Sequence, residues 1–149
     1  MKRRIVPHIV QRRELFTLAP EMSIRAAATL MTERRIGAIM VVRDGKLLGI
    51  LSERDVMTRV VAKHLDPDTT LVGQVMTPEP MTIRPDDTAA KALHLMHERG
   101  FRHLPVTDDT GIVAMVSIRD LYAAVQEELE EDIRQRESYM FGSGYGATQ

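Results

Sequence analysis

Two short segments of this sequence hold side chains of the right types and spacing to bind a phosphorylated ligand. In each, a serine ends an apolar run, and an arginine and an aspartate follow two and three residues later. The two sets are Ser52, Arg54 and Asp55, and Ser117, Arg119 and Asp120. A helix that begins at the serine offers free N–H groups and a partial positive charge to a phosphate. The arginine can pair with phosphate, and the aspartate can accept hydrogen bonds from both ribose hydroxyls.

The same spacing has a purely structural interpretation. A serine followed three residues later by an acid is an ordinary helix-capping arrangement, and the helix dipole favours the acid there. A cap does not require the arginine, however. Its recurrence in both segments therefore favours a binding function.

The chain is internally repeated. A shift of 65 residues aligns residues 17–55 with 82–120 without a gap, and 12 of the 39 aligned positions are identical. Unrelated segments of average composition would match at about two or three. The sequence is therefore a duplicated unit.

Local patterns predict the same elements in each copy. Ser23 and Thr88 are candidate N-caps for apolar-periodic helices, and Gly100 suits the end of the second helix. Two apolar runs joined by a turn follow in each copy and predict a hairpin, with a further helix opening at Ser52 and Ser117. We expect an α+β fold of two tandem β-α-β-β-α repeats, packed sheet to sheet with pseudo-two-fold symmetry.

The predicted boundaries follow from the repeat. Repeat one covers residues 1–64, and residues 65–81 are a proline-containing linker that includes the first strand of repeat two, with a short strand or turn around residues 71–76. Repeat two covers residues 82–126. Residues 127–149 form a C-terminal helical extension and a glycine-rich tail, whose aromatic side chains we expect to dock on a partner subunit.

The sequence resembles a pair of cystathionine-β-synthase-type (CBS) domains, the arrangement called a Bateman module. The resemblance covers roughly residues 5–125. It is carried by the segment VMTPEPMTIRPDDTAAKALHLMHERGFRHLPVTD and by GILSERD and AMVSIRD at the two strand-to-helix junctions. It implies a regulatory module that binds AMP, ADP or ATP between the repeats, with NAD or S-adenosylmethionine as other possible ligands.

The resemblance also implies roles for particular residues. The serines of the two junctions touch phosphate and the aspartates touch ribose, while the residue that opens each copy and the edge of its first long strand contribute as well. Those further positions are Thr17, Ile36, Gly37 and Ala38 in copy one, and Thr82, Arg102, His103, Leu104 and Pro105 in copy two. Copy two carries Ala114 where copy one has the family's usual Gly49, and this extra methyl is expected to narrow its pocket.

Arg102 and His103 replace Gly37 and Ala38, which places basic side chains where they can meet phosphates. We therefore expect di- and triphosphate affinity to depend on Arg102. The alternative is a solvated strand end. His94 and His97, three residues apart on a helix, are interpreted as solvent-exposed and not as a metal site.

Bulk composition excludes several functions. The formal net charge of -1 and the aromatic content of 4% argue against nucleic-acid binding. No cysteine is present, and no run of about 20 apolar residues could span a membrane. We expect a cytoplasmic, non-enzymatic sensor without a catalytic cofactor, forming a homodimer and signalling to an unknown downstream protein. The alternatives are a structural dimerisation module with vestigial sites and a nucleotide-processing enzyme.

Overall fold

The computed structural model describes residues 3–12 and 15–140. The strands are β1 Thr17–Leu18, β2 Ala38–Arg43, β3 Lys46–Ser52, β4 Thr77–Pro78, β5 His103–Asp108 and β6 Gly111–Ser117. The helices are α1 Ile24–Arg34, α2 Glu53–Val56, α3 Val72–Val75, α4 Ala89–Arg99 and α5 Ile118–Ser138, and π-helical turns cover Ile5–Ile9 and Met57–Val61. The predicted α+β class, the duplicated unit and the C-terminal helix are confirmed.

The first long helix of each copy begins and ends where the sequence predicts. The Ser23 hydroxyl accepts the Ala26 N–H at 3.1 Å, and the Thr88 hydroxyl accepts the Lys91 N–H at 3.2 Å. Such caps satisfy N–H groups that have no partner within the helix. Gly100 ends α4 in the left-handed conformation, which glycine adopts without steric cost.

Each copy builds the same hairpin. Strand β2 pairs antiparallel with β3, and β5 pairs antiparallel with β6; both ladders contain an irregularity at the matching position. Strand β1 lies parallel to β2, and Ile83 makes the equivalent parallel bridge to Val106. The duplication therefore extends to the register of the strands.

The opening segment of each copy packs on the other copy. The N–H groups of Ile5 and Val6 donate to the carbonyls of Asp87 and Pro85, which lie just before α4. Further along the chain, Val72 and Gly73 donate in the same way to the carbonyls of Met22 and Pro20, just before α1. Residues 3–10, which the sequence groups with the first repeat, thus complete the second, and residues 70–76 complete the first.

The connector differs from the sequence prediction. Around residues 71–76, where a strand or turn is predicted, the structure has helix α3, because Val72 and Val75 bury one apolar face in the first core. The only strand of the connector, β4, pairs antiparallel with β3. A Cβ atom at Gly49 would lie 2.7 Å from the Thr77 carbonyl oxygen, so this close approach of β4 requires glycine.

Two hydrophobic clusters hold the fold together, one per copy. In β2, Ile39 and Val41 belong to the first cluster, whereas Ala38 and Met40 are buried on the opposite face of the strand. Side chains alternate between faces, so the sheet is covered on both sides, and β3 contacts β6 of the other copy. Within the described residues, no helix is both long and apolar enough to cross a membrane.

Candidate functional site

Both Ser-x-Arg-Asp segments form capping boxes at the N-termini of α2 and α5. Ser52 donates its N–H to Asp55 Oδ2 at 2.9 Å, and its hydroxyl accepts the Asp55 N–H at 3.1 Å. In the second copy, Asp120 Oδ2 accepts both the N–H and the hydroxyl of Ser117, at 2.8 and 2.9 Å. The capping interpretation is therefore part of what these residues do.

The capping hydrogen bonds use only one oxygen of each aspartate, Oδ2. Asp55 Oδ1 forms an ion pair with Arg59, whose Nε lies 3.8 Å away, too far for a hydrogen bond. Among the described residues, Asp120 Oδ1 has no hydrogen-bond partner, since all of its side-chain bonds use Oδ2. A half-buried carboxylate oxygen that takes no part in the cap can still accept a ligand hydroxyl, so capping and ribose binding are compatible at the same side chain.

A cleft of about 460 Å³ lies between the two copies. Its walls come from the ends of equivalent elements: the turn after α1, the start of α2, the residues before β5 and the start of α5. Two matching hydrogen bonds brace these walls, since Glu53 donates its N–H to the Gly37 carbonyl at 2.9 Å and Ile118 donates to the Arg102 carbonyl at 2.8 Å. The predicted site residues that line it are Ile36, Gly37, Arg102, His103, Ser117 and Arg119.

The other predicted residues lie outside the lining of this cleft. Leu104 and Ala38 have buried side chains. The Pro105 carbonyl accepts the Ile83 N–H at 3.0 Å, so part of that strand edge already has a partner. Ser52, Arg54, Asp55 and Asp120 are adjacent in sequence to lining residues, whereas Thr17 and Thr82 are exposed at the start of each copy.

Ala114 does not have the consequence expected from the sequence. Its side chain is fully buried in the second hydrophobic cluster, among residues that include Leu104, Val116 and Ile5. The methyl group packs in the core and does not line the cleft. At the equivalent position of the first copy, strand β4 is pressed against Gly49 and leaves no room for a methyl group.

The structure adds lining residues that sequence reasoning missed, namely Ala28, Met31, Thr32, Arg35, Glu53, Val56 and Ile118. Arg35 ends α1 in a left-handed conformation, with φ of 55°. Arg35 occupies the position that Gly100 has in the second copy. This difference between the copies could have marked Arg35 as a candidate site residue. Glu53 stands inside the GILSERD segment itself, where only the serine, arginine and aspartate were considered.

The charges of the cleft are unevenly distributed. Arg35, Arg102 and Arg119 line it together with a single acid, Glu53. The Glu53 carboxylate sits against Gly37, where an added Cβ would lie 3.4 Å from Oε1. The cleft thus presents a cationic wall for an anion and one carboxylate on the first-copy side.

His103 lies partly buried between these charges. Burial lowers its pKa below the usual 6.5 and outweighs the opposing influence of Asp120 and Glu53, while Arg102 lowers the pKa further. The lowered pKa favours the neutral imidazole form of His103, which is a hydrogen-bonding group. It offers a donor or an acceptor, not a fixed positive charge.

Within the described residues, no group of three or more potential metal-ligating side chains is close enough to hold an ion. His94 Nε2 instead lies 3.5 Å from a carboxylate oxygen of Glu98, one turn further along α4. His94 and Glu98 are both solvent-exposed.

The structure is a pseudo-symmetric pair of equivalent α+β units. Each unit is completed by a segment of the other, and a polar cleft lies between their matching strand ends. The chain belongs to the CBS-domain family, whose profile matches residues 8–62 and 72–127. CBS pairs are regulatory and signal-transduction modules.

Relatives and solved structures share this architecture. The mitochondrial CBS domain-containing protein CBSX3 of Arabidopsis thaliana is 36% identical over 124 residues, which cover 80% of this chain and 60% of that protein. YhcV of Bacillus subtilis is 35% identical over 72% of this chain and 76% of its own length. This chain thus spans less than two thirds of CBSX3.

Among solved structures, a CBS-domain protein of Burkholderia ambifaria superposes with a TM-score of 0.74 at 33% identity, covering 76% of this chain and 83% of that one. CBSX2, solved in complex with AMP, superposes with a TM-score of 0.64 at 25% identity, covering 76% and 89%. The match therefore includes a family member with a bound adenine nucleotide.

Proposed function

We propose that this chain is a regulatory module that binds an adenine nucleotide between its two CBS copies. The observation that carries the proposal is the cleft itself, which brings Arg35 and Gly37 of one copy to Arg102, His103 and Arg119 of the other. Arginine side chains form charge-assisted hydrogen bonds with phosphate. The AMP complex of CBSX2 supports the same class of ligand.

The aspartates complete the proposed recognition. The Oδ1 atoms of Asp55 and Asp120, which take no part in the caps, are the proposed acceptors for ribose hydroxyls. The hydroxyls of Ser52 and Ser117 lie at helix N-termini, which attract phosphate. No catalytic cofactor is needed for such a role. AMP, ADP and ATP are the proposed ligands, with NAD and S-adenosylmethionine as alternatives that share the adenosyl group.

Isothermal titration calorimetry with each of these ligands and with adenosine tests the proposal. Arg102→Ala is expected to weaken ATP binding by about tenfold to a hundredfold, since hydrogen bonds to charged groups contribute about 1.5–3 kcal/mol, and to leave adenosine binding almost unchanged. Arg99→Ala, at the exposed end of α4 and outside the cleft, is the matched control. Equal loss for both ligands would mean that Arg102 shapes the pocket, and no loss would mean that it is a solvated strand end.

A structural dimerisation module with vestigial sites is the second candidate. The completed capping boxes favour it, because they explain the serines and aspartates without any ligand. That candidate predicts no heat of binding with any of the ligands. Turnover of a nucleotide in the same mixtures would instead support an enzyme.

We also propose a homodimer. The large apolar residues of α1 are at least partly buried, and its exposed positions are mostly polar. The π-helical turn after α2, in contrast, carries exposed apolar side chains at Met57 and Val61, which a second protomer could cover. A downstream protein that responds to the module and a location in the cytoplasm remain predictions.

A further inference from the structure

We propose that this chain holds one nucleotide and not two, because side chains of copy two fill the second of its two equivalent ligand sites. The assignment rests on the proposed function and narrows it to one site. A duplicated fold supplies each wall of the cleft twice, so the repeat by itself allows two sites. The positions at which the copies differ decide which site takes the ligand.

The 65-residue register defines the second site. The cleft takes one wall from α1 and the turn after it, and the facing wall from the strand-to-helix junction before α5. The second site takes the corresponding walls from α4 and the turn after it, and from the junction before α2. Gly37, Glu53, Arg102 and Ile118 all line the cleft and correspond to one another in pairs, so they belong to both sites. The other positions distinguish the two sites.

Larger apolar side chains occupy the helix wall of the second site. Ala28 in the wall of the cleft corresponds to Leu93, and Ile36 corresponds to Phe101. Leu93 and Phe101 are partly buried and pack against the second hydrophobic cluster. Because protein interiors are close-packed, the added atoms of these two side chains take up space that Ala28 and Ile36 leave open. The second site therefore lacks the room that the cleft offers.

The second site also lacks one of the cations of the cleft. Arg35 lines the cleft, whereas the equivalent residue, Gly100, has no side chain. Among the described residues, Arg35, Arg102 and Arg119 form no salt bridge. Their guanidinium groups are therefore available to a phosphate, and only the cleft combines all three.

The two junction aspartates differ in the same direction. Asp55 Oδ1 forms an ion pair with Arg59, one turn further along the chain. The residue equivalent to Arg59 is Ala124, which carries no charge, and Asp120 Oδ1 has no hydrogen-bond partner among the described residues. Asp55 would have to weaken its ion pair to accept a ribose hydroxyl, whereas Asp120 would not. The junction beside the cleft thus holds the better ribose acceptor.

Room, charge and the ribose acceptor all favour the same site. Ser117 and Asp120 then cap α5 and bind the nucleotide, whereas Ser52 and Asp55 act as the cap of α2. The recurrence of the junction residues in both copies is explained by their shared capping role. Ligand binding uses only one of the two junctions.

Isothermal titration calorimetry with AMP counts the sites, and equilibrium dialysis with radiolabelled AMP at saturation gives the same ratio without a heat signal. We expect one AMP per chain. Two AMP per chain would overturn the one-site assignment and leave the proposed function intact. Absence of binding by every adenine ligand tested would overturn both.

Substitution of Arg35 tests which site is occupied. Arg35→Gly introduces the residue of copy two, and glycine suits the left-handed backbone at this position, where φ is 55°. AMP affinity is expected to fall by about tenfold to a hundredfold through the loss of a hydrogen bond to phosphate, with adenosine affinity almost unchanged. His97→Thr introduces the copy-one residue at the equivalent position of the second site and is expected to leave AMP binding unchanged. Weaker AMP binding by His97→Thr, or none of the expected loss in Arg35→Gly, overturns the assignment.

Photoaffinity labelling locates the ligand without any substitution. An 8-azido derivative of AMP is irradiated with the wild-type protein, and the labelled peptides are identified by mass spectrometry. We expect labels within residues 28–36, on the open wall of the cleft, and their loss when excess AMP is present. Labels within residues 93–101, on the filled wall, overturn the assignment. Thermal unfolding monitored by circular dichroism shows that Arg35→Gly and His97→Thr are folded before their affinities are compared.

Discussion

Replacement of Asp120 separates capping from ligand binding. In the structure, its Oδ2 atom accepts two hydrogen bonds from Ser117, while Oδ1 is free of described partners. Asp120→Ala removes both functions. Asp120→Asn keeps a neutral acceptor for the Ser117 N–H, so it retains part of the cap while removing the charge.

The expected loss of stability in Asp120→Ala follows from the hydrogen bonds that the substitution removes. Loss of a cap costs about 1 kcal/mol, and a half-buried Ser117 N–H left without a partner adds to that, for a total of about 1–2 kcal/mol. For a chain of this length, 1 kcal/mol lowers the melting temperature by about 2–4 °C, so we expect a fall of about 2–8 °C. Asp55→Ala should cost less, because Asp55 accepts one bond from Ser52 and not two.

Calorimetry and thermal unfolding on the same variants measure the two roles. If Asp120 Oδ1 binds ribose, Asp120→Ala also weakens AMP affinity by roughly tenfold to a hundredfold, from about 1.5–3 kcal/mol. An unchanged melting temperature would refute the capping argument. Unchanged affinity in a folded, destabilised variant would refute the ribose assignment and leave a purely structural residue.

Three further predictions concern the fold and its pH dependence. Gly49→Ala is expected to lower the free energy of unfolding by about 1–3 kcal/mol, as overpacking does, because the new Cβ would press on Thr77. Denaturant unfolding that shows no loss of stability would contradict the close approach of β4. Ile5→Ala should cost about 2–5 kcal/mol, since Ile5 is fully buried in the second core, and a loss below about 1 kcal/mol would mean that the exchanged segment is dispensable. His103 has a lowered folded pKa, so its contribution to stability is present above pH 6.5 and is lost as pH falls through the folded pKa. Melting temperatures from pH 7.5 to 5 should therefore fall more steeply for wild type than for His103→Gln, and parallel curves would disprove this.

Local patterns predicted the elements of the fold well because their causes are local. Ser23 and Thr88 cap their helices through hydrogen bonds to residues three positions away, and Gly100 needs only its own backbone freedom. The repeat predicted equivalent hairpins for the same reason. Elements fixed by contacts within a few residues can be predicted from the residue types alone.

The exchange of opening segments could not be predicted in that way. The Ile5 N–H donates to the carbonyl of Asp87, which is distant in the chain. That Ile5 packs on the second copy depends on how the two copies contact each other. The same holds for helix α3, whose four residues are stabilised by burying Val72 and Val75 and not by intrinsic propensity. The predicted junction residues lie at the strand ends. Arg35 also lines the cleft, and this could not be predicted because the position of the cleft depends on packing between the copies.

Helix α5 runs from the proposed ligand site to a segment whose residues beyond Ala124 are not buried. Its first turn, with Ser117 and Arg119, borders the cleft, and Leu129 and Ile133 lie exposed further along the same helix. A ligand that displaces the start of α5 is expected to displace these exposed side chains as well, because they belong to the same continuous helix. Linkage is reciprocal, so any factor by which AMP changes the dimer constant must equal the factor by which dimerisation changes AMP affinity. AMP titrations at protein concentrations below and above the dimer dissociation constant measure the change in AMP affinity. Sedimentation with and without AMP measures the change in the dimer constant. A dimer constant that saturating AMP leaves unchanged would show that the two ends of α5 act independently.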